Sequence, residues 1–177
     1  MKNVDLVELF RSHDLFEKKI ILKRGEILKH AHTVDTTIYF VEKGSLKIYI
    51  LDADEERIVR FGYQNNLIAS LDSFLSGNPS DFYISAIKSS VVWSTSKARF
   101  MEYLENHPQY QKIWTAILED LVLQQIEREK DLLTSSPKER YERVAKRSKN
   151  LFQEIPEKHI ANYLRMSPET LSRLKKS

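Results

Sequence analysis

Apolar and polar positions follow two different periods along the chain. Through the first 110 residues the apolar runs are short, rich in β-branched and aromatic side chains, and bounded by turn residues. Lys19-Ile20-Ile21-Leu22-Lys23 passes through Arg24-Gly25-Glu26 into Ile27-Leu28. Thr37-Ile38-Tyr39-Phe40-Val41 turns at Glu42-Lys43-Gly44 into Ser45-Leu46-Lys47-Ile48-Tyr49-Ile50, where Leu46, Ile48 and Ile50 share one face. The acidic stretch 52–56 reads as a solvated hairpin loop before Arg57-Ile58-Val59-Arg60-Phe61. Runs at 81–87 and 91–94 complete the block. Short strands at this spacing predict an antiparallel sandwich or barrel.

From Lys97 the period becomes helical. The segment opened by His107-Pro108 runs to Leu133 with no interior glycine or proline. Tyr110, Trp114, Ile117 and Leu121 form one apolar row, and Leu118, Val122 and Ile126 a second. A stripe this broad suits either one wide core face in a monomer or two faces, one on the β body and one on a partner helix. A helix of about 26 residues reaches roughly 39 Å. That length overhangs a small β domain and favours a dimerisation helix. Thr134-Ser135-Ser136-Pro137 then breaks the pattern. Three helical pieces are expected beyond it: 137–152, 156–164, and one opened by Ser167-Pro168 as N-cap and first-turn proline. The chain therefore divides into segments 1–106, 107–136 and 137–177, an α+β organisation.

Charge sharpens this division. Residues 1–110 hold 14 basic and 15 acidic side chains, whereas 138–177 hold 11 basic and 5 acidic, a net of +6. A basic helical end on a near-neutral body points to an anionic partner, or else to a solvated basic tail. The 177 residues contain no cysteine, which removes disulfides, zinc fingers, iron–sulfur clusters and cysteine nucleophiles. No apolar run approaches 18 residues and the amino terminus alternates charge with apolar side chains, so a cytoplasmic protein without a membrane span is expected. Four glycines leave little for a phosphate cradle, and no nucleophile–base pattern stands out. No enzymatic activity and no cofactor are expected.

The last 21 residues carry the sharpest motif. Ile160, Leu164, Met166, Leu171 and Leu174 fall on the buried positions of a helix-turn-helix, with Ala161 where the two helices cross. The second helix then presents Ser167, Glu169, Thr170, Ser172 and Arg173 to a major groove, flanked by Arg165, Lys175 and Lys176. Arg173 can bond guanine bidentately, Glu169 can accept from a cytosine amino group, and Ser167 with the helix N-terminus suits a phosphate. Arg165 stands where the turn prefers glycine, because that residue takes positive φ; the strain is about 1 kcal/mol. The competing reading is a helical hairpin packed on the β domain.

The order of parts resembles the Crp/Fnr superfamily of bacterial transcription regulators. The resemblance spans nearly the whole chain. It is carried by Leu22-Lys23-Arg24-Gly25-Glu26, by Tyr39-Phe40-Val41-Glu42-Lys43-Gly44-Ser45-Leu46-Lys47-Ile48-Tyr49, and by 160–164 with Ser167-Pro168-Glu169-Thr170-Leu171-Ser172-Arg173-Leu174. The Ser-Pro-Glu-Thr-Leu-Ser-Arg wording is similar to a branch common in Bacteroidetes. The resemblance implies an N-terminal jelly-roll β-roll of the cyclic-nucleotide-binding type, a dimerisation helix, and a C-terminal helix-turn-helix without the usual wing. By the same resemblance Glu169 and Arg173 match base-reading positions, and Pro168 replaces a frequent arginine. The implied partners are double-stranded DNA bearing a palindromic operator, a second copy of the chain, an unidentified small effector, and RNA polymerase.

In that superfamily the cyclic-nucleotide pocket needs a Gly-Glu pair and an arginine followed by a small residue. Here Ala69-Ser70 and Ser80-Asp81 stand at those places, so the pocket is expected to be degenerate. A carboxylate about 4 Å from a phosphate repels it by about 4 kcal/mol at an effective dielectric near 20. His13, His30, His32, His107 and His159 remain as haem-ligand candidates, although a lone histidine is more often a surface residue. The alternative class is a cupin-like metal-binding β-roll without DNA binding, built on His30, His32, Asp35 and Glu42.

Overall fold

A computed structural model describes residues 14–176, the Ile113 side chain excepted. His13 and Ser177 lie outside the described residues. Within this range the chain divides between Gln111 and Lys112 into two compact units.

The first unit contains eight strands: β1 Lys18–Leu22, β2 Ile27–Lys29, β3 Thr37–Lys43, β4 Ser45–Asp52, β5 Glu55–Tyr63, β6 Leu67–Ile68, β7 Tyr83–Ala86 and β8 Ser90–Ser96. They form two four-stranded antiparallel sheets, ordered β1-β8-β3-β6 and β2-β7-β4-β5. The core includes Val41 and Val92 from one sheet and Leu46, Ile48 and Ile84 from the other, all buried. This is the jelly-roll β-roll. At Gly44, between β3 and β4, φ is +91°, and a Cβ would run into Ser90 Oγ and the Ser89 carbonyl. Only glycine meets both demands.

Two details depart from the sequence pattern. The hairpin expected at 52–56 forms but is tighter than that stretch: β4 and β5 pair up to Asp52 and Glu55, leaving a two-residue turn. Ala53 and Asp54 there take φ of 47° and 66°, the twist that hairpins favour. The segment between β6 and β7 folds as a short helix, α1 Leu71–Ser76, ended by left-handed Gly77. Helix α2, Lys97–Asn106, follows β8, its N-cap Ser96 accepting from the Arg99 N–H.

A 3-10 turn, Pro108–Tyr110, precedes the long helix α3, Gln111–Leu133. Tyr110 is thus not on the long helix, where its spacing had put it. It stacks on Tyr103, whose ring also stacks on His107. Proline lacks the N–H that a continuous helix would need, so it opens a tight turn instead.

The second unit contains α3 and four shorter helices. The expected piece 137–152 is two helices, α4 Pro137–Arg147 and α5 Leu151–Glu154. Ser148, with φ −131°, ends the first; serine and asparagine compete with the helical backbone for hydrogen bonds. Helices α6, Glu157–Tyr163, and α7, Pro168–Lys176, complete the unit.

Candidate nucleic-acid interface and pocket region

Helices α6 and α7 build the candidate interface from the apolar side outward. Ile160, Ala161, Leu164 and Leu171 are fully buried, while Met166 and Leu174 are half-buried. Ala161 shows no exposed surface, as expected of the residue at a helix crossing. Arg165 takes φ +54° in the turn, as its place in the motif requires.

The outer side of α7 carries the predicted contacts. Pro168, Glu169 and Arg173 are exposed, Thr170 and Ser172 half-buried, and Lys175 and Lys176 exposed at the C-terminal turn. Several of these groups already have partners. Ser167 Oγ accepts from the Thr170 N–H at 3.2 Å, so its hydroxyl caps the helix. The Glu169 carboxyl is held below the usual carboxylate range by a backbone N–H at the helix start and by Ser167, with Arg173 one turn on adding a smaller pull. Lys175 donates to Glu157 of α6. Glu169, Arg173 and Lys176 therefore lie on one exposed face, while Ser167 and Lys175 are tied into the fold.

On α3, Trp114, Ile117, Leu118 and Leu121 are half-buried. Val122, Leu123 and Ile126 are exposed, Leu123 by 62%. The C-terminal end of this helix holds groups that the sequence reading missed. Asp131 is fully buried and accepts from Arg143 Nε at 3.1 Å and from both terminal nitrogens of Arg147. That carboxylate raises the pKa of Arg147 above its ordinary value. Glu127 joins from the same helix, 3.0 Å from Arg143. Arg128, 7% exposed, stacks over the Tyr163 ring at 3.6 Å and donates to the Tyr163 carbonyl at 2.6 Å. Burial lowers its pKa. Arg140 donates to the carbonyls of Thr134, at 2.6 Å, and Arg165, at 3.2 Å. No local spacing pairs these residues, and only their distant partners reveal them.

Two of the residues expected at the cyclic-nucleotide pocket, Ser70 and Ser80, come together. Ser70 and Ser80, both buried, have their hydroxyls 2.9 Å apart, and Ala69 beside them is half-buried. Asp81 behaves differently from its expectation. Its carboxylate is 83% exposed and sits 3.1 Å from His32 Nδ1, so it does not place an anion inside. The charged group buried beside Ser80 is Lys29, 4% exposed, whose ammonium donates to the carbonyls of Ser80 at 3.1 Å and Phe82 at 2.8 Å. Desolvation lowers its pKa, against a weaker opposing pull from Asp72, Asp35 and Asp81. A cation is present after all, delivered by β2 and used to hold the loop.

Among the described residues, no three His, Cys, Asp or Glu side chains gather at metal-holding distance. His30 meets Tyr83 edge-on, His32 lies in a left-handed turn, and Asp35 accepts from the Thr37 N–H and the Tyr39 hydroxyl. The four residues named for a cupin-like site do not converge. Among the described residues, no helix is long and apolar enough to cross a membrane.

The profile of the family described as "Cyclic nucleotide-binding domain" matches residues 19–107. No curated protein matches the chain significantly in sequence. Among solved structures, CooA from Carboxydothermus hydrogenoformans is 15% identical with a TM-score of 0.73, over 97% of this chain and 82% of that one. FixK2 from Bradyrhizobium japonicum is 16% identical with a TM-score of 0.75, over 90% and 82%. The c-di-GMP responsive global regulator CLP of Xanthomonas campestris is 14% identical with a TM-score of 0.67, over 98% and 90%. These likenesses extend through both units.

Proposed function

The chain belongs to the cyclic nucleotide-binding domain family, and on that footing we propose that it is a sequence-specific DNA-binding transcription regulator of the Crp/Fnr type, acting as a homodimer. One observation carries the reading. The α6–α7 pair buries Ile160, Ala161, Leu164 and Leu171 while Glu169 and Arg173, four residues apart, share the exposed face of α7. That combination suits a helix entering a major groove with its first turns against base edges. The basic excess of 138–177 supplies attraction to phosphate.

In this reading the exposed Val122, Leu123 and Ile126 of α3 meet a second copy. Two recognition helices then address successive major grooves about 34 Å apart on a palindromic operator. The β-roll serves as an effector-sensing or scaffold domain whose cyclic-nucleotide pocket is degenerate. Lys29 supports the degeneracy, because its buried ammonium is spent on two loop carbonyls. An effector would act by binding two dimer states with different affinity. RNA polymerase is the further partner such a regulator implies, and the recognition-helix wording favours the Bacteroidetes-type branch.

Selection of bound sequences from random duplex DNA tests the proposal. A palindromic consensus is expected, with affinity falling as salt rises at a slope of roughly −0.9 per phosphate neutralised. Absence of any salt-sensitive duplex binding overturns it.

A further inference from the structure

We propose that Arg128 and Arg140 are positioning residues for the recognition helix, clamping the strained turn between α6 and α7 to the end of the long helix. This rests on the DNA-reading proposal above. The argument begins with the hydrogen bonds at the turn. Helix α6 ends with its last carbonyls needing donors. The N–H groups of Leu164, Arg165 and Met166 serve the carbonyls of Ile160, Asn162 and Ala161, at 2.8, 3.0 and 3.0 Å. The carbonyls of Tyr163 and Arg165 come next, and guanidinium groups serve them.

The two arginines come from different helices yet converge on the same three residues. Arg128 belongs to α3 itself and reaches Tyr163 both by hydrogen bond and by ring stacking. Arg140 belongs to α4 and bridges, one nitrogen on Thr134 at the end of α3 and the other on Arg165. The Arg128 bond thus runs directly from the long helix to the turn, and the Arg140 pair joins the residue after the long helix to the same turn by way of α4. A cation at the C-terminal end of a helix is favoured by the backbone dipoles. The residue between the two clamped carbonyls is Leu164, fully buried, and the next has φ +54°. A non-glycine residue at that φ relaxes unless its surroundings hold it. Both arginines are more than nine-tenths buried, and each keeps one nitrogen, Arg128 Nη1 and Arg140 Nε, without a hydrogen-bond partner. Burying two guanidiniums imperfectly is costly. In return they fix the direction in which α7 leaves the turn, and so where Glu169 and Arg173 point.

The test uses the full chain and two measurements. Amide hydrogen exchange is followed across 161–167 in wild type, R128M, R140M, R128K, R140K and the double variant R140M/R165G. Each Met variant is expected to raise exchange in that turn at least 10-fold while β3 and β8 stay unchanged. The Lys variants keep the charge but lose the fork, and fall between. Glycine at 165 removes the φ strain and is expected to restore most of the protection lost in R140M. The second measurement compares selected duplex DNA with single-base variants of it. Discrimination is expected to fall about 10-fold in R140M and R128M, while the salt slope, which counts neutralised phosphates, holds.

Unchanged exchange at the turn in both Met variants overturns the clamp, as does equal loss in R140M and R140M/R165G. If a Met variant unfolds the second unit, the Lys variants decide, since wild-type exchange in both removes the need for a fork. If wild type binds no duplex DNA, the functional reading fails, and the clamp stands or falls on the exchange result.

Discussion

Lys29 and Glu169 show how one side chain's partners change the chemistry expected of it. The ammonium of Lys29, buried beside Ser80, is spent on the Ser80 and Phe82 carbonyls. Lys29→Met leaves both acceptors short of a charged donor in a buried place. We expect a loss of about 1–3 kcal/mol, read as a lower denaturation midpoint; an unchanged midpoint would show that the loop needs no anchor. Glu169 is the contrasting case, a group whose charged form its neighbours favour. Its folded pKa lies below the ordinary 4.5, so its stabilising contribution is present above that value and fades as pH falls through the folded pKa. Hydrogen-exchange protection of the first turn of α7 should therefore drop in acid for wild type and stay flat for Glu169→Gln. Because its pKa is lowered, the carboxyl is ionised at neutral pH and can only accept, the form a cytosine amino group requires. Arg173→Ala is expected to relax preference at one base pair by about 1–3 kcal/mol, seen as a flattened position in the selected consensus. Retained specificity at every position contradicts the assignment.

Among the elements, those defined by repeated apolar spacing were readable and those defined by distant partners were not. Short turn-bounded runs of β-branched and aromatic residues marked β3, β4 and β5, and the helix-turn-helix spacing picked out Ile160, Leu164 and Leu171, all fully buried. Strand β6 has two residues and helix α1 six, too few for either period to register. The division of 137–152 into α4 and α5 carries neither glycine nor proline to announce it. The ion network at the end of α3 was hidden for another reason. Asp131 lies 12 and 16 residues from Arg143 and Arg147, and Arg128 lies 35 from the Tyr163 carbonyl, so no local pattern pairs them. The superfamily pattern paired Ser70 with Ser80, which do meet, but gave no sign of Lys29, which reaches Ser80 from a strand 51 residues earlier. Asp131→Asn removes the fully buried anion of the network and leaves Arg143 and Arg147 with the half-exposed Glu127 as their remaining carboxylate. Breaking a buried pair costs roughly 3–5 kcal/mol, but these arginines keep some water, so about 2–3 kcal/mol is expected. Thermal unfolding of the second unit at a clearly lower temperature is the outcome to look for.

For the whole molecule, the proposed function raises the question of how a recognition surface as small as one face of α7 would obtain useful affinity. A single short helix offers few base contacts, and the +6 of segment 138–177 adds attraction without sequence preference. Joining two copies makes the second half-site an intramolecular contact, which multiplies affinity by orders of magnitude without any new interaction. The exposed Val122, Leu123 and Ile126 are where such joining would act, and their exposure makes them suitable to alter. A charge at Val122, 59% exposed, leaves the packing of its own unit intact but must be desolvated when two copies meet. Val122→Glu is therefore expected to sediment as a monomer with an unchanged unfolding midpoint. Its affinity for a palindromic duplex should fall at least 100-fold, while binding to a single half-site stays within a factor of about three of wild type. Equal loss on both duplexes would mean that the substitution damages the reading helix itself. No loss on either, with the sedimentation unchanged, would remove this stretch of α3 from the dimer contact.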